Sequence, residues 1–254
     1  MQKNQDASSD PRLPEGQAQW NSTGPSHAPP FPTERWARWN QDILVLRGHV
    51  TNLYERQRVW KAYVAASGEI RMTEAAFVMH EWMVRNYSDA MTIGIRRLID
   101  RRTARNTPVS LHELVTNISD HVADVTLENY LSLWNPGNAL HQARATRAFN
   151  TLFPEAGRPT RESLVEEADR LRTSAEAILT HADKRVAHIG RGDLPALPRW
   201  RDLDEALELL ATVFRRYYAL LTGNEYRLDL MGMPPGWEIA IERACQASVR
   251  ERGG

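Results

Sequence analysis

The stretch WARWNQDILVLRGHVTNLYERQRVWKAYV, residues 36–64, decides the fold. Trp36, Trp39, Ile43, Leu46, Val50, Leu53, Trp60 and Val64 recur at three- and four-residue steps, interrupted only at Gln57. That spacing returns each side chain to one face of a 3.6-residue helix, whereas a strand would require alternation at every second residue. One long amphipathic helix is therefore expected, and the segments around it must supply what covers its apolar face.

Downstream, Gly68 interrupts the pattern, and Phe77, Val84, Met91 and Leu98 then recur seven apart, with His80, Tyr87, Gly94 and Arg101 on the adjoining ridge. This predicts a second helix running to about Arg102. Ser110 and Glu113 have capping-box spacing ahead of Leu111, Leu114, Val115 and Ile118, the apolar face of a shorter helix. Asn135-Pro136-Gly137 and Pro154 to Pro159 bracket a weakly patterned region whose structure stays open over residues 129–159. A third stripe, Leu164, Ala168, Leu171, Ala175, Ile178 and Ala182, is continued by Arg185 and Ile189 and ends at Gly190. Asp202 and Glu205 make a second capping pair for a stripe from Leu203 to Leu221, which Gly223 closes; Pro234-Pro235-Gly236 precedes a short C-terminal helix. Four long helices with almost no period-two alternation predict an all-α fold, an antiparallel helical bundle with additional short helices. Residues 1–33, rich in Gln, Asn, Ser, Gly and Pro, bury too little to offset their ordering entropy and read as a disordered tail before a helical domain over 34–254.

Thirty-two basic residues balance thirty-two acidic ones, so no global field draws the protein to nucleic acid or to an acidic membrane, and any RNA contact must use a local patch. A single cysteine, Cys245, precludes an intrachain disulfide and a cysteine metal cluster. No apolar run approaches the roughly 20 residues of a membrane span, and the N-terminus lacks the apolar core of a signal peptide, so a cytoplasmic location without membrane contact is expected. His80-Glu81 and His112-Glu113 each begin a zinc-protease pattern, but Val84 and Thr116 stand where the second histidine belongs. No phosphate-cradling Gly-rich loop or nucleophile elbow occurs, and neither a metal nor a cofactor is expected. Trp36, Trp39 and Trp60 lie on the core stripe and read as packing residues, not as platforms for bases.

Chemistry is concentrated in Asp183-Lys184-Arg185-Val186-Ala187-His188. On a continuous helix His181 and His188 project within about 20° of one another, with Lys184 and Arg185 one turn below His188 on nearly the same face. Metal-independent RNA cleavage needs a group that helps the 2′-hydroxyl attack phosphorus and a fixed cation for the phosphorane; imidazole suits the first task and guanidinium the second. A second basic cluster, Ile95-Arg96-Arg97-Leu98-Ile99-Asp100-Arg101-Arg102, offers Arg96, Arg97 and Arg101 as holders of an RNA backbone. Each cluster also has a plain structural reading. Arg185 and His188 suit a helix C-terminus, and Arg96 suits an ion pair with Asp100 one turn on.

The hexapeptide resembles the signature of the HEPN superfamily, helical bundles that include metal-independent ribonucleases of toxin and anti-phage systems. It is most similar to the AbiU2-like branch, whose motif reads Arg-Asp-Lys-x-x-Ala-His. The pattern Ile-Arg-Arg-Leu-x-Asp around Arg96 and Arg97, followed by Ser110-Leu111, extends the likeness over residues 36–240. The resemblance implies a role in RNA metabolism or phage defence, as a weakened metal-independent ribonuclease or an RNA-binding relative. His188 would be the catalytic histidine, Asp183 the polar residue that orients the site, and two copies would join as a homodimer around a shared cleft. This chain departs from the motif at Ala182, where the family has its arginine. Arg185, three positions on along the same stripe, or Lys184 is then the expected phosphate clamp, with His181 and the arginines near Arg96 as RNA contacts. The alternative is a non-catalytic interaction protein, for example one that binds an antitoxin, in which the motif is a remnant.

Overall fold

The computed structural model describes residues 32–68, 74–101, 103, 108–134, 137–154, 157–183, 198–228 and 234–250. Over them the chain is all-α, with no strand among the described residues. The sequence at 36–64 forms the interior of α1, Glu34–Gly68, whose 35 residues make a rod about 52 Å long. Trp36, Trp39, Ile43, Leu46, Val50 and Leu53 are buried, as their spacing requires. Toward the other end Trp60 is only half-buried and Val64 is exposed.

Two further long helices lie antiparallel to α1. Along α8, Trp200–Thr222, residue numbers fall as those of α1 rise: the Asn40 amide donates to the Leu221 carbonyl (2.9 Å), the Tyr54 hydroxyl to Glu208 (2.8 Å) and the Gln57 amide to Asp204 (2.5 Å). Along α2, Glu74–Ile99, the Tyr87 ring stacks on Trp60 at 4.8 Å, and Gly94 lets the backbone approach Leu53 closely. Trp200, the first residue of α8, closes this aromatic layer 5.1 Å from Trp60. The turns of α2 before Tyr87 lie beyond the start of α8 and lose that third helix. Phe77, expected on the core face, is accordingly 54% exposed, while Met91 and Leu98 are buried as expected.

Shorter helices cover the remaining faces. In α3, Leu111–Asp120, the Ser110 hydroxyl accepts from the Glu113 N–H (3.1 Å) and donates to the Asp100 carbonyl (2.6 Å). By binding that carbonyl it ends α2 at Ile99, three residues before the expected Arg102. The buried indoles of α1 find partners here: Trp39 Nε1 donates to Asn117 (2.7 Å) and Trp36 Nε1 to the Asp124 carbonyl (3.1 Å). The region left open by its weak pattern holds α4, Leu127–Leu131, and α5, Ala139–Leu152, each started by a side-chain cap, Thr126 and Asn138. The C-terminal helix α9, Trp237–Arg250, lies along the second half of α1, with Trp237 under the Arg58 guanidinium. Asp202 is not the first residue outside α8 but its third inside, accepting the Arg199 N–H at 2.9 Å, because the helix starts at Trp200.

The third stripe is not one long rod over the described residues. It is α6, Arg161–Ser174, and α7, Glu176–His181, separated by Ala175 at φ −109°, ψ 11°. Ser174 Oγ donates to the Leu171 carbonyl (3.0 Å), the acceptor a continuing helix would give to the Ala175 N–H; that N–H turns instead to the Arg172 carbonyl (3.1 Å). The apolar spacing survives the break, and Leu164, Ala168, Leu171, Ala175, Ile178 and Ala182 are all buried. The expected disordered tail lies outside the described residues, apart from Pro32 and Thr33.

Gly94 is a direct test of this packing, since a Cβ there would meet Leu53 Cδ2 at 2.4 Å in a full core. Gly94→Leu should lower the unfolding free energy by about 2 kcal/mol in a denaturant titration. Gly94→Ala should cost less, because the gain in helix propensity, about 1 kcal/mol, offsets part of the strain.

Candidate functional site

The two clusters named from the sequence touch at Asp183, the one residue of the hexapeptide among those described. Arg96, in the last turn of α2, places Nη1 2.7 Å from Asp183 Oδ1 and Nε 3.5 Å from Asp100 Oδ1. Asp183 follows Ala182, and Ala182 is 1% exposed. Position 182 therefore faces the packed interior, and a long cationic side chain there would have to displace core atoms. The guanidinium beside this part of the chain comes from α2.

Other expected site residues divide into three groups. Arg97 and Arg101 are exposed, Arg101 beyond the end of α2 and paired with Asp169 of α6 at 3.4 Å. His181 is fully buried at 0% exposure, on the face of α7 that carries Ile178. It cannot touch RNA, which corrects the expectation that it contacts RNA from one surface with the motif; it lies beside Ile178 and Ala182 on the face of α7 that packs on α2 and α8. Lys184, Arg185 and His188 lie outside the described residues.

Between α6, α7 and the segment after α2 is a groove of about 520 Å³. Arg101 and Arg172 line it together with Asp169, Glu176 and Asp183, so described cations and carboxylates nearly balance. The arginines here are largely matched by carboxylates, as the plain reading of Arg96 with Asp100 anticipates.

Two buried groups belong to neither basic cluster. His112 of α3 is 5% exposed. Burial chiefly holds its pKa below the ordinary histidine value, and Arg101 and Arg172, which line the groove, add to the effect against Glu113 and Asp169. Its place between the apolar Leu111 and Val115 was the available sign of burial. The second group is Glu167, 4% exposed in α6, whose carboxylate accepts from Arg216 (2.5 Å) and the Tyr217 hydroxyl (2.8 Å), with Arg170 at 3.6 Å. Burial, then the charge of Glu167, raises the Tyr217 phenol well above its usual pKa. No apolar periodicity marks a buried carboxylate; its neighbours Leu164 and Ala168 on the stripe were the only hint.

Among the described residues no group of three His, Cys, Asp or Glu side chains is placed to hold a metal, and His80 instead meets the Tyr63 hydroxyl at 3.1 Å. No helix among them is long and apolar enough to cross a membrane. Comparison with protein-family models, with curated proteins and with solved structures finds no match to this chain.

His112 generates a pH prediction. Its folded-state pKa is depressed, whereas the unfolded chain titrates near about 6.5, so below that value the unfolded state binds more protons. Its contribution to stability is complete above that value and is lost as pH falls toward the folded pKa. Thermal melts from pH 7.5 to 5 should show this decline, and His112→Gln should flatten it.

Proposed function

We propose that this chain is a HEPN-like protein that acts on RNA, a weakened metal-independent ribonuclease in which Arg96 takes over the phosphate-binding task absent at Ala182. The observation that carries the proposal is the 2.7 Å contact of Arg96 with Asp183, which brings a guanidinium from α2 to the first residue of the motif. A fork-shaped cation fits two phosphate oxygens, and Asp183 fixes its orientation without using all five of its donors. In the proposed reaction the His188 imidazole takes the 2′-hydroxyl proton, the 2′-oxygen attacks the adjacent phosphorus, and the 5′-oxygen leaves as a hydroxyl with a proton from water, to which His188 later returns its own. A 2′,3′-cyclic phosphate remains. Arg185 or Lys184 would assist as clamp, and Arg97 and Arg101 would guide the backbone. A homodimer engaged in RNA metabolism or phage defence is part of the same reading.

One observation favours a second reading, a non-catalytic helical protein that binds a protein partner such as an antitoxin. Arg96 and Arg101 already have carboxylate partners in Asp100, Asp183 and Asp169, as struts between helices would.

Cleavage of single-stranded RNA by the purified chain, followed with and without EDTA, separates the two readings. The ribonuclease reading predicts EDTA-resistant cleavage leaving cyclic phosphate ends, a loss of about 100-fold or more in His188→Ala, and a loss of about 10-fold to 100-fold in Arg96→Ala, the worth of one charged hydrogen bond. Undiminished cleavage by His188→Ala would contradict it. A change in Arg96→Ala confined to melting temperature would make that arginine a strut.

A further inference from the structure

Away from the groove, at the other end of α6, a cavity of about 470 Å³ opens between the end of α5, the start of α6 and α8. Three guanidiniums line it, those of Arg158, Arg170 and Arg216, against the carboxylates of Glu166 and Glu167. Buried Phe153 and Pro159 form part of an apolar wall. The volume falls in the range of small-molecule sites.

Glu167 decides what the cavity can take. A carboxylate at the wall of such a site would repel anions, but this one is committed: Oε1 accepts from Arg216 and Oε2 from the Tyr217 hydroxyl. Arg216 balances its charge. Arg170 stands 3.6 Å from Oε1, an ion-pair distance too long for a hydrogen bond, so Glu167 does not consume its donors. Its side chain is largely exposed, as is Arg158. After Glu167 and Arg216 cancel, Arg158 and Arg170 face Glu166 alone, and the described lining has a surplus positive charge. Ser163 lines it from the first turn of α6 with its hydroxyl proton given to the Thr160 carbonyl (3.0 Å), and the helix dipole there favours an anion.

We propose that this cavity binds a small phosphate-bearing molecule of mononucleotide size or below, with Arg158 and Arg170 holding the phosphate and Arg216 neutralising Glu167 behind them. Two guanidinium forks offer more donors than one carboxylate ligand can accept, whereas a phosphate monoester has three terminal oxygens and up to two charges. The site is independent of the RNA reading and lies on different residues.

The test is calorimetric titration of the full chain with inorganic phosphate and, separately, with a nucleoside 5′-monophosphate. Binding of either probe is expected, and tighter binding of the monophosphate shows that the carrier is read as well as the phosphate. Arg158→Ala and Arg170→Ala, both at exposed side chains, should each weaken binding about tenfold or more. Glu167→Gln, which removes the opposing charge, should tighten it. If Glu167→Gln fails to fold, the two arginine variants decide. Absence of heat with both probes at millimolar concentration overturns the proposal, as does affinity that neither arginine variant changes.

Discussion

One buried face of α1 organises the described fold. Six side chains from Trp36 to Leu53 supply apolar surface to α2, α3 and α8 together, and each aliphatic member contributes roughly 1.5–3 kcal/mol by burial. Because the same face serves several helices, its register sets theirs: the indoles of Trp36 and Trp39 fix the turn after α3 and α3 itself through hydrogen bonds. Leu53 admits α2 only where that helix has Gly94. At the far end, where the stripe becomes aromatic, Trp60 collects Tyr87 and Trp200 and marks where α8 begins.

This frame brings the end of α2 against α7, and the most suggestive chemistry follows from that contact. In sequence the arginines near Arg96 and the hexapeptide from Asp183 are separate clusters. In space they share an ion pair. Ala182 is buried, so its position leaves no room for a long cationic side chain, and the guanidinium on the neighbouring Asp183 arrives from α2 instead. The same pairing restrains the functional reading, because a guanidinium held between two carboxylates is partly neutralised before any phosphate approaches.

What the sequence disclosed and what it concealed follow from the physics of each signal. Periodicity reports burial faithfully where a helix has neighbours on its apolar side, as for Leu111 to Ile118 or Leu203 to Leu221. It misled at Phe77 because spacing carries no information about where the opposing helix starts. It missed the break at Ala175 because the apolar residues keep their spacing through it, and the cause is a hydrogen bond from Ser174. His181 faces inward because it shares the buried face of Ile178 and Ala182. Glu167 and its arginine and tyrosine partners were invisible for a different reason: they are separated by about 50 positions in sequence, and only the packing of α6 on α8 brings them together.

We propose that RNA phosphates are gripped where the end of α2 meets Asp183. The most direct measurement is the salt dependence of RNA affinity, taken with the His188→Ala chain so that cleavage does not intervene. The account predicts that the logarithm of the association constant falls linearly with the logarithm of salt concentration, by about 0.7 per phosphate contacted, and that adding Arg96→Ala makes the slope shallower by about that amount. No binding at low salt, or a slope that the loss of Arg96 leaves unchanged, would contradict it.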